Sequence, residues 1–98
     1  MNKGGAVVNA QAAEFSLTVD KVELAVGRTT FVVENRGSAA HNFVIRDNGL
    51  EEATPVIEPG GSATLTIDLE PGTYTYLCTI GSHDRLGMRG SLTVTAGG

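Results

Sequence analysis

The chain has 98 residues and a formal net charge of −4; 41% of its residues are hydrophobic and 18% are charged. This size and composition predict a single folded domain and argue against intrinsic disorder. The acidic balance offers no basic face for nucleic acid, and no run of 18 apolar residues predicts a transmembrane segment. A single cysteine excludes an intramolecular disulfide.

In chain order, residues 1–13 are small and interrupted by polar residues, without the apolar core of a signal peptide. We interpret them as a flexible leader or linker, followed by a domain over residues 14–98. Alternation with a period of two then predicts half-buried strands. The side chains that share a face are Phe15, Leu17 and Val19, then Val22, Leu24 and Val26, then Phe31 and Val33.

The second half of the chain continues this pattern after a turn at residues 35–38. A strand is predicted from His41 to Arg46, and residues 47–61 are expected to form a surface crossover with one helical turn at Leu50 to Ala53. Seven or eight short strands in about 100 residues predict an all-β, antiparallel Greek-key β-sandwich. The later shared faces are Ala63, Leu65, Ile67 and Leu69, then Tyr74, Tyr76 and Cys78, then Leu92 and Val94.

One segment concentrates the residues that bind soft metals. The chain contains one cysteine, two histidines and two methionines, and Cys78, His83 and Met88 lie within eleven consecutive residues. The second histidine, His41, begins a different predicted strand, and a sandwich can bring distant strand ends to one pole. Two histidines, a cysteine and a weakly bound thioether are the ligands of an electron-transfer copper site. The residue types therefore predict a metal site of His41, Cys78, His83 and Met88.

Other chemistries fit these residues less well. Zinc also takes cysteine and histidine, but structural zinc sites use thiolate and imidazole rather than a thioether. Cys78 and His83 could form a nucleophilic pair, although Cys78 shares its predicted inward face with Tyr74 and Tyr76. A multicopper enzyme needs further histidines, and the chain has none beyond His41 and His83. We therefore expect no enzymatic activity.

From about Phe15 to Ala96 the chain resembles the small cupredoxins, the plastocyanin and azurin class of blue copper proteins. The resemblance rests on Asn35-Arg36-Gly37 before His41-Asn42-Phe43, on residues 71–78 (PGTYTYLC), and on Cys78-x4-His83-x4-Met88-x-Gly90. It implies that His41, Cys78 and His83 are equatorial ligands of one type 1 copper ion and that Met88 is the axial ligand. It also implies that the Asn42 backbone N–H bonds the thiolate and that Asn42 and Thr79 lock the two ligand loops.

The same resemblance implies a one-electron carrier that cycles between Cu(I) and Cu(II). A redox partner protein would dock near His83, whose ring edge would be the electron port. A monomer and a periplasmic or other extracytoplasmic location are expected on the same basis. Two alternatives remain open at this point: copper buffering or delivery with the same ligands, and a metal-free interaction domain of the same fold.

Overall fold

The computed structural model describes residues 6–14, 16–80 and 87–96, which form nine β-strands in two sheets. The strands are β1 Ala6–Ala13, β2 Ser16–Val19, β3 Glu23–Ala25, β4 Gly27–Asn35, β5 Val44–Asp47, β6 Leu50–Ala53, β7 Ser62–Leu69, β8 Gly72–Leu77 and β9 Arg89–Thr95. The sheet orders are β2-β1-β4-β7 and β3-β9-β8-β5-β6. These described residues include no helix long and apolar enough to cross a membrane. The predicted all-β sandwich is confirmed.

Two strand pairs depart from a purely antiparallel arrangement. β1 runs parallel to β4, and β3 runs parallel to β9, while the other pairs between named strands are antiparallel. Each parallel pair joins strands that are separated in sequence by at least one other strand, because a tight hairpin can connect only antiparallel neighbours.

The core lies between the two sheets and is filled by the alternating residues. Phe31 and Val33 of β4 and Tyr74 and Tyr76 of β8 are buried, as the period-two pattern predicts. The Phe43 ring lies between the sheets, with its centroid 5.2 Å from that of Phe31 and 6.0 Å from that of Tyr76. Burying such a ring contributes about 1.5–3 kcal/mol relative to leaving it in water. The aromatic contacts therefore hold the segment next to His41 against both sheets.

The prediction of a flexible leader over residues 1–13 is wrong for residues 6–13. These residues form β1, which pairs with β2 on one side and with β4 on the other. Val8, Ala10 and Ala12 are buried against the core. Two sets of ladder hydrogen bonds and this small apolar face hold the strand in place. Residues 1–5 lie outside the described part of the chain.

The predicted helical turn at Leu50–Ala53 is also wrong, because these residues form β6 and pair with β5. The turn residues Asn48 and Gly49 both have positive φ, 57° and 80°. Asparagine and glycine tolerate this left-handed conformation, which two-residue hairpin loops require. The Asn-Gly turn therefore overrides the helical preference of Leu50, Glu51 and Ala53.

Strand β3 is shorter than its apolar pattern suggested. Leu24 is buried, but Val22 and Val26 are 49% and 41% exposed and lie just outside the strand. β3 is an edge strand, paired only with β9 in its sheet.

Tyr74 forms a tyrosine corner, in which the tyrosine hydroxyl bonds back to the backbone a few residues upstream. The buried Tyr74 hydroxyl donates to the Glu70 backbone carbonyl at 2.7 Å, four residues upstream. The Asn48 side chain donates to the same hydroxyl at 3.0 Å and to the Pro71 carbonyl at 3.1 Å. These bonds join the β5–β6 turn to the turn before β8, at the end of the sandwich away from His41.

Candidate metal centre

Strands β5 and β8 bring His41 and Cys78 together. These strands are antiparallel, and Val44 at the start of β5 pairs with Leu77 at the end of β8. His41 precedes Val44 and Cys78 follows Leu77, so both lie at the same end of the pair. The His41 Nδ1 and Cys78 Sγ atoms are 3.9 Å apart, and both side chains are fully buried.

Backbone hydrogen bonds fix the position of His41. Its N–H donates to the Ile57 carbonyl at 3.1 Å, and the Ile57 N–H donates to the His41 carbonyl at 2.7 Å. These two bonds form an isolated antiparallel bridge outside the named strands. The histidine is therefore held by the backbone on both sides of its α-carbon.

Met88 reaches the same end of the sandwich from the opposite direction. Leu77 pairs with Arg89 at the start of β9, and the Cys78 N–H donates to the Met88 carbonyl at 3.0 Å. Met88 is fully buried, and Gly87 before it has a φ of 117°, which favours glycine. Three of the four predicted donors are thus brought together.

His83 lies within residues 81–86, outside the described residues. Its place at the site, and the assignment of all four residues as ligands, stay predictions. Among the residues that the structure does describe, no group of three or more histidine, cysteine, aspartate or glutamate side chains could hold a metal. The neighbouring donors there are His41, Cys78 and Met88, one each of imidazole, thiol and thioether.

The two donor segments are locked together by Asn42 and Thr79. The Asn42 side-chain amide donates to Thr79 Oγ1 at 2.8 Å, and the Thr79 N–H donates to Asn42 Oδ1 at 2.8 Å. This reciprocal pair joins the residue after His41 to the residue after Cys78. The lock that the cupredoxin resemblance implied is therefore confirmed. The bond from the Asn42 N–H to the sulfur stays a prediction.

Asn35 supports the loop before His41, a role that was not predicted. Its buried side chain donates to the carbonyls of Ala39 and Ile57, each at 2.8 Å, and accepts from the Gly37 N–H at 2.9 Å. The signal was present in the alternation of β4, where Asn35 follows Phe31 and Val33 on the inward face. The predicted turn at residues 35–38 did not include the buried, inward-facing position of Asn35 at the end of β4.

Glu14, at the turn between β1 and β2, contacts the other side of the His41 ring. The Nε2 and Oε2 atoms are 2.8 Å apart. The same carboxylate accepts hydrogen bonds from the backbone of Ser38 and Ala39 and from the Ser38 hydroxyl. Hydrogen bonds lower the pKa of Glu14 to about 2; the bond from the Ser38 backbone N–H has the largest effect, and the bond with the His41 ring has the second largest. No sequence signal links Glu14 to His41, which is 27 positions away.

The chemistry and spacing of these donors suit a soft metal ion. Thiolate, imidazole and thioether are the donors that copper takes in electron-transfer sites. The 3.9 Å between His41 Nδ1 and Cys78 Sγ is shorter than the sum of two metal–donor bonds of roughly 2.0 and 2.3 Å. One ion can therefore bond both atoms at once.

Comparison with known proteins shows the family of this chain. The family model described as a cupredoxin-like domain matches residues 3–94. The chain belongs to the cupredoxin-like family. No curated protein matches it.

Solved structures with this cupredoxin fold align with nearly the whole chain. Dithionite-reduced auracyanin from Roseiflexus castenholzii is 27% identical, with a TM-score of 0.69 over 93% of this chain and 96% of its own. Auracyanin A, a "blue" copper protein from Chloroflexus aurantiacus, is 21% identical, with a TM-score of 0.76 over 94% of this chain and all of its own. A multicopper oxidase is 20% identical, with a TM-score of 0.67 over 92% of this chain but 41% of its own.

Proposed function

We propose that this cupredoxin is a one-electron carrier with a single type 1 copper ion held by His41, Cys78, His83 and Met88. The observation that carries the proposal is the convergence of imidazole, thiol and thioether from three segments at one end of the sandwich. Copper, when bound, would supply a Cu(I)/Cu(II) couple that accepts and releases one electron. His41, Cys78 and His83 would be the strong ligands, and Met88 the weak axial one.

The scaffold suits electron transfer because it holds the donors before any metal binds. The Ile57 bridge fixes His41, the Met88 carbonyl fixes the Cys78 backbone, and the Asn42–Thr79 pair joins their loops. Donors held this firmly rearrange little between two oxidation states, so little reorganisation opposes electron transfer. Burial of Cys78 and Met88 also keeps water from the two sulfur atoms.

Family membership supports the rest of the proposal. A redox partner would dock at the surface near His83, and the protein would work as a monomer in the periplasm or another extracytoplasmic compartment. We propose no enzymatic activity for this chain, because its two histidines would both be used by one copper ion. The multicopper oxidase that shares the fold matches this chain over only 41% of its own length.

A copper titration of the metal-free protein, with Cys78 kept as a thiol, tests the site. We expect one equivalent of Cu(II) to produce an intense visible band from thiolate-to-copper charge transfer, and Cys78→Ser to abolish it. Met88→Leu should shift the band rather than remove it, because an axial thioether is bound weakly. Apo-protein melting curves would verify that both variants fold. A wild-type protein without the band, or an unchanged band in Cys78→Ser, would contradict the proposed site.

A second measurement separates an electron carrier from a copper delivery protein. We expect fast electron self-exchange between Cu(I) and Cu(II) forms, measured by NMR line broadening in mixed samples, together with slow copper loss to a chelator. Slow exchange with rapid copper loss would instead support buffering or delivery.

A further inference from the structure

The His41 ring has two nitrogen atoms with different surroundings. Nδ1 faces Cys78 Sγ at 3.9 Å, and Nε2 faces the Glu14 carboxylate at 2.8 Å. The side chain of His41 is fully buried. The groups around the ring, rather than bulk water, therefore decide which nitrogen carries the proton.

An ionised Glu14 carboxylate accepts hydrogen bonds but has no proton to donate. At 2.8 Å, the Nε2 atom of neutral His41 must therefore carry the proton and donate it. The lone pair is then on Nδ1, the nitrogen that faces Cys78. A histidine that binds a metal through one nitrogen is commonly oriented in this way by a carboxylate on the other nitrogen.

The carboxylate is itself held in place. Its two oxygens accept from the Ser38 and Ala39 N–H groups at 3.0–3.1 Å and from the Ser38 hydroxyl at 3.1 Å. The residue before Ser38 is Gly37, where any added β-carbon would overlap the Glu14 carboxyl group and lie 3.0 Å from His41 Nε2. The loop thus forms a fitted cradle for a carboxylate against the ring.

We propose that Glu14 is a positioning residue of the metal centre, which fixes His41 in the Nε2–H tautomer and directs the Nδ1 lone pair to the metal beside Cys78. This inference rests on the proposed function for the identity of the metal. The tautomer itself is a property of the protein without metal. Because the carboxylate makes His41 a stronger donor, Glu14 would also stabilise Cu(II) relative to Cu(I) when copper is bound.

Glutamine at position 14 provides the sharpest test. It has the shape of glutamate, but its amide can donate to Nε2 as well as accept from it, so it allows both tautomers. In ¹⁵N-labelled apo protein in alkaline buffer, long-range ¹H–¹⁵N spectra should show Nε2–H alone in the wild type. We expect a mixture in Glu14→Gln. Copper affinity, measured by chelator competition, should fall about 10–100-fold, and the reduction potential should rise.

Two matched variants separate positioning from charge and from loop anchoring. Glu58→Gln removes the same charge from an exposed side chain next to Ile57, at the same end of the sandwich. Ser38→Ala removes one anchor of the carboxylate and leaves its contact with His41. Both variants should keep the Nε2–H tautomer, even if Ser38→Ala lowers the melting temperature.

A wild-type apo protein with the proton on Nδ1 would overturn the proposal, whatever the protein does with copper. So would equal tautomer populations and equal copper affinities in Glu14→Gln and Glu58→Gln. A wild-type protein that binds no copper would overturn the proposed function instead, and the apo spectra would still decide the role of Glu14.

Discussion

The two ends of the β5–β8 strand pair are closed by the same kind of side chain but for different purposes. At the donor end, defined by His41, Cys78 and Met88, Asn42 bonds Thr79 across two loops. At the corner end, defined by Asn48, Glu70 and Tyr74, Asn48 bonds Pro71 and Tyr74 across two turns. Asparagine suits both ends because one amide offers two donors and an acceptor.

The ends differ in what these bonds hold. At the corner end the hydrogen bonds run between turns and the tyrosine hydroxyl, so their contribution is to stability. At the donor end they hold backbone segments whose side chains carry the sulfur and nitrogen donors. Substitutions at the corner end should therefore affect stability alone, and substitutions at the donor end should affect stability and copper binding together.

Asn35→Ala should produce the largest effect, at the donor end. The change removes hydrogen bonds to the Gly37 N–H and to the Ala39 and Ile57 carbonyls, and we expect a loss of about 2–3 kcal/mol in the free energy of unfolding. Copper should also dissociate faster, because the loop before His41 loses its support. Urea titration and copper transfer to a chelator would measure the two effects.

The control for Asn35→Ala is Arg36→Ala, which removes an exposed side chain from the next position. It should change both quantities little, since exposed ion pairs contribute about 0–1 kcal/mol. A destabilised Asn35→Ala protein that holds copper as firmly as the wild type would break the link between loop and metal.

Tyr74→Phe should have a smaller effect, confined to the corner end. The change removes the hydroxyl that donates to Glu70 and accepts from Asn48, while the ring stays in the core. We expect a loss of about 1–2 kcal/mol in the free energy of unfolding, measured by urea titration. The copper spectrum and reduction potential should match those of the wild type. A shift in either would mean that the two ends are coupled through β5 and β8.

The parts of the fold that sequence could predict are those with large alternating side chains. Phe31 with Val33, and Tyr74 with Tyr76, gave unambiguous strands because bulky apolar residues on one face must be buried. The segments carrying Cys78 and Met88 stood out because thiol and thioether side chains are rare in this chain. These positions could be identified from their side-chain chemistry alone, without knowing which residues lie next to them in the fold.

The parts that sequence could not predict depend on contacts between distant segments. The inward face of β1 consists mainly of alanine, a residue with little preference for strands, so its alternation was weak. Its parallel pairing with β4 joins Ala12 to Asn35 and places the following turn beside residues 36–40. Without β1, the contact between Glu14 and His41 could not be predicted.

A second carboxylate, Asp20, follows strand β2 of the β1–β2 hairpin. Glu14 lies at the turn of this hairpin, next to His41. Asp20 lies at its other end, where it accepts from the Asn9 side chain at 3.1 Å and from the Asn9 backbone at 2.9 Å. These hydrogen bonds lower the pKa of Asp20 below its ordinary value of 3.8, and the bond from the Asn9 side chain has the largest effect.

Asp20→Asn should therefore have the smallest effect, and one that depends on pH. A lowered pKa means that ionised Asp20 stabilises the folded protein above pH 3.8 and that this contribution is lost as the pH falls through the folded-state value. The variant should melt at a slightly lower temperature than the wild type at neutral pH. The gap should close in acid, where the wild-type carboxylate is protonated. Melting curves of both proteins from neutral to acid pH would measure this difference in melting temperature. A difference that widens in acid would contradict the stabilising role of ionised Asp20. The copper spectrum should stay unchanged, because Asp20 contacts Asn9 in the middle of β1 rather than a donor, in contrast to Glu14.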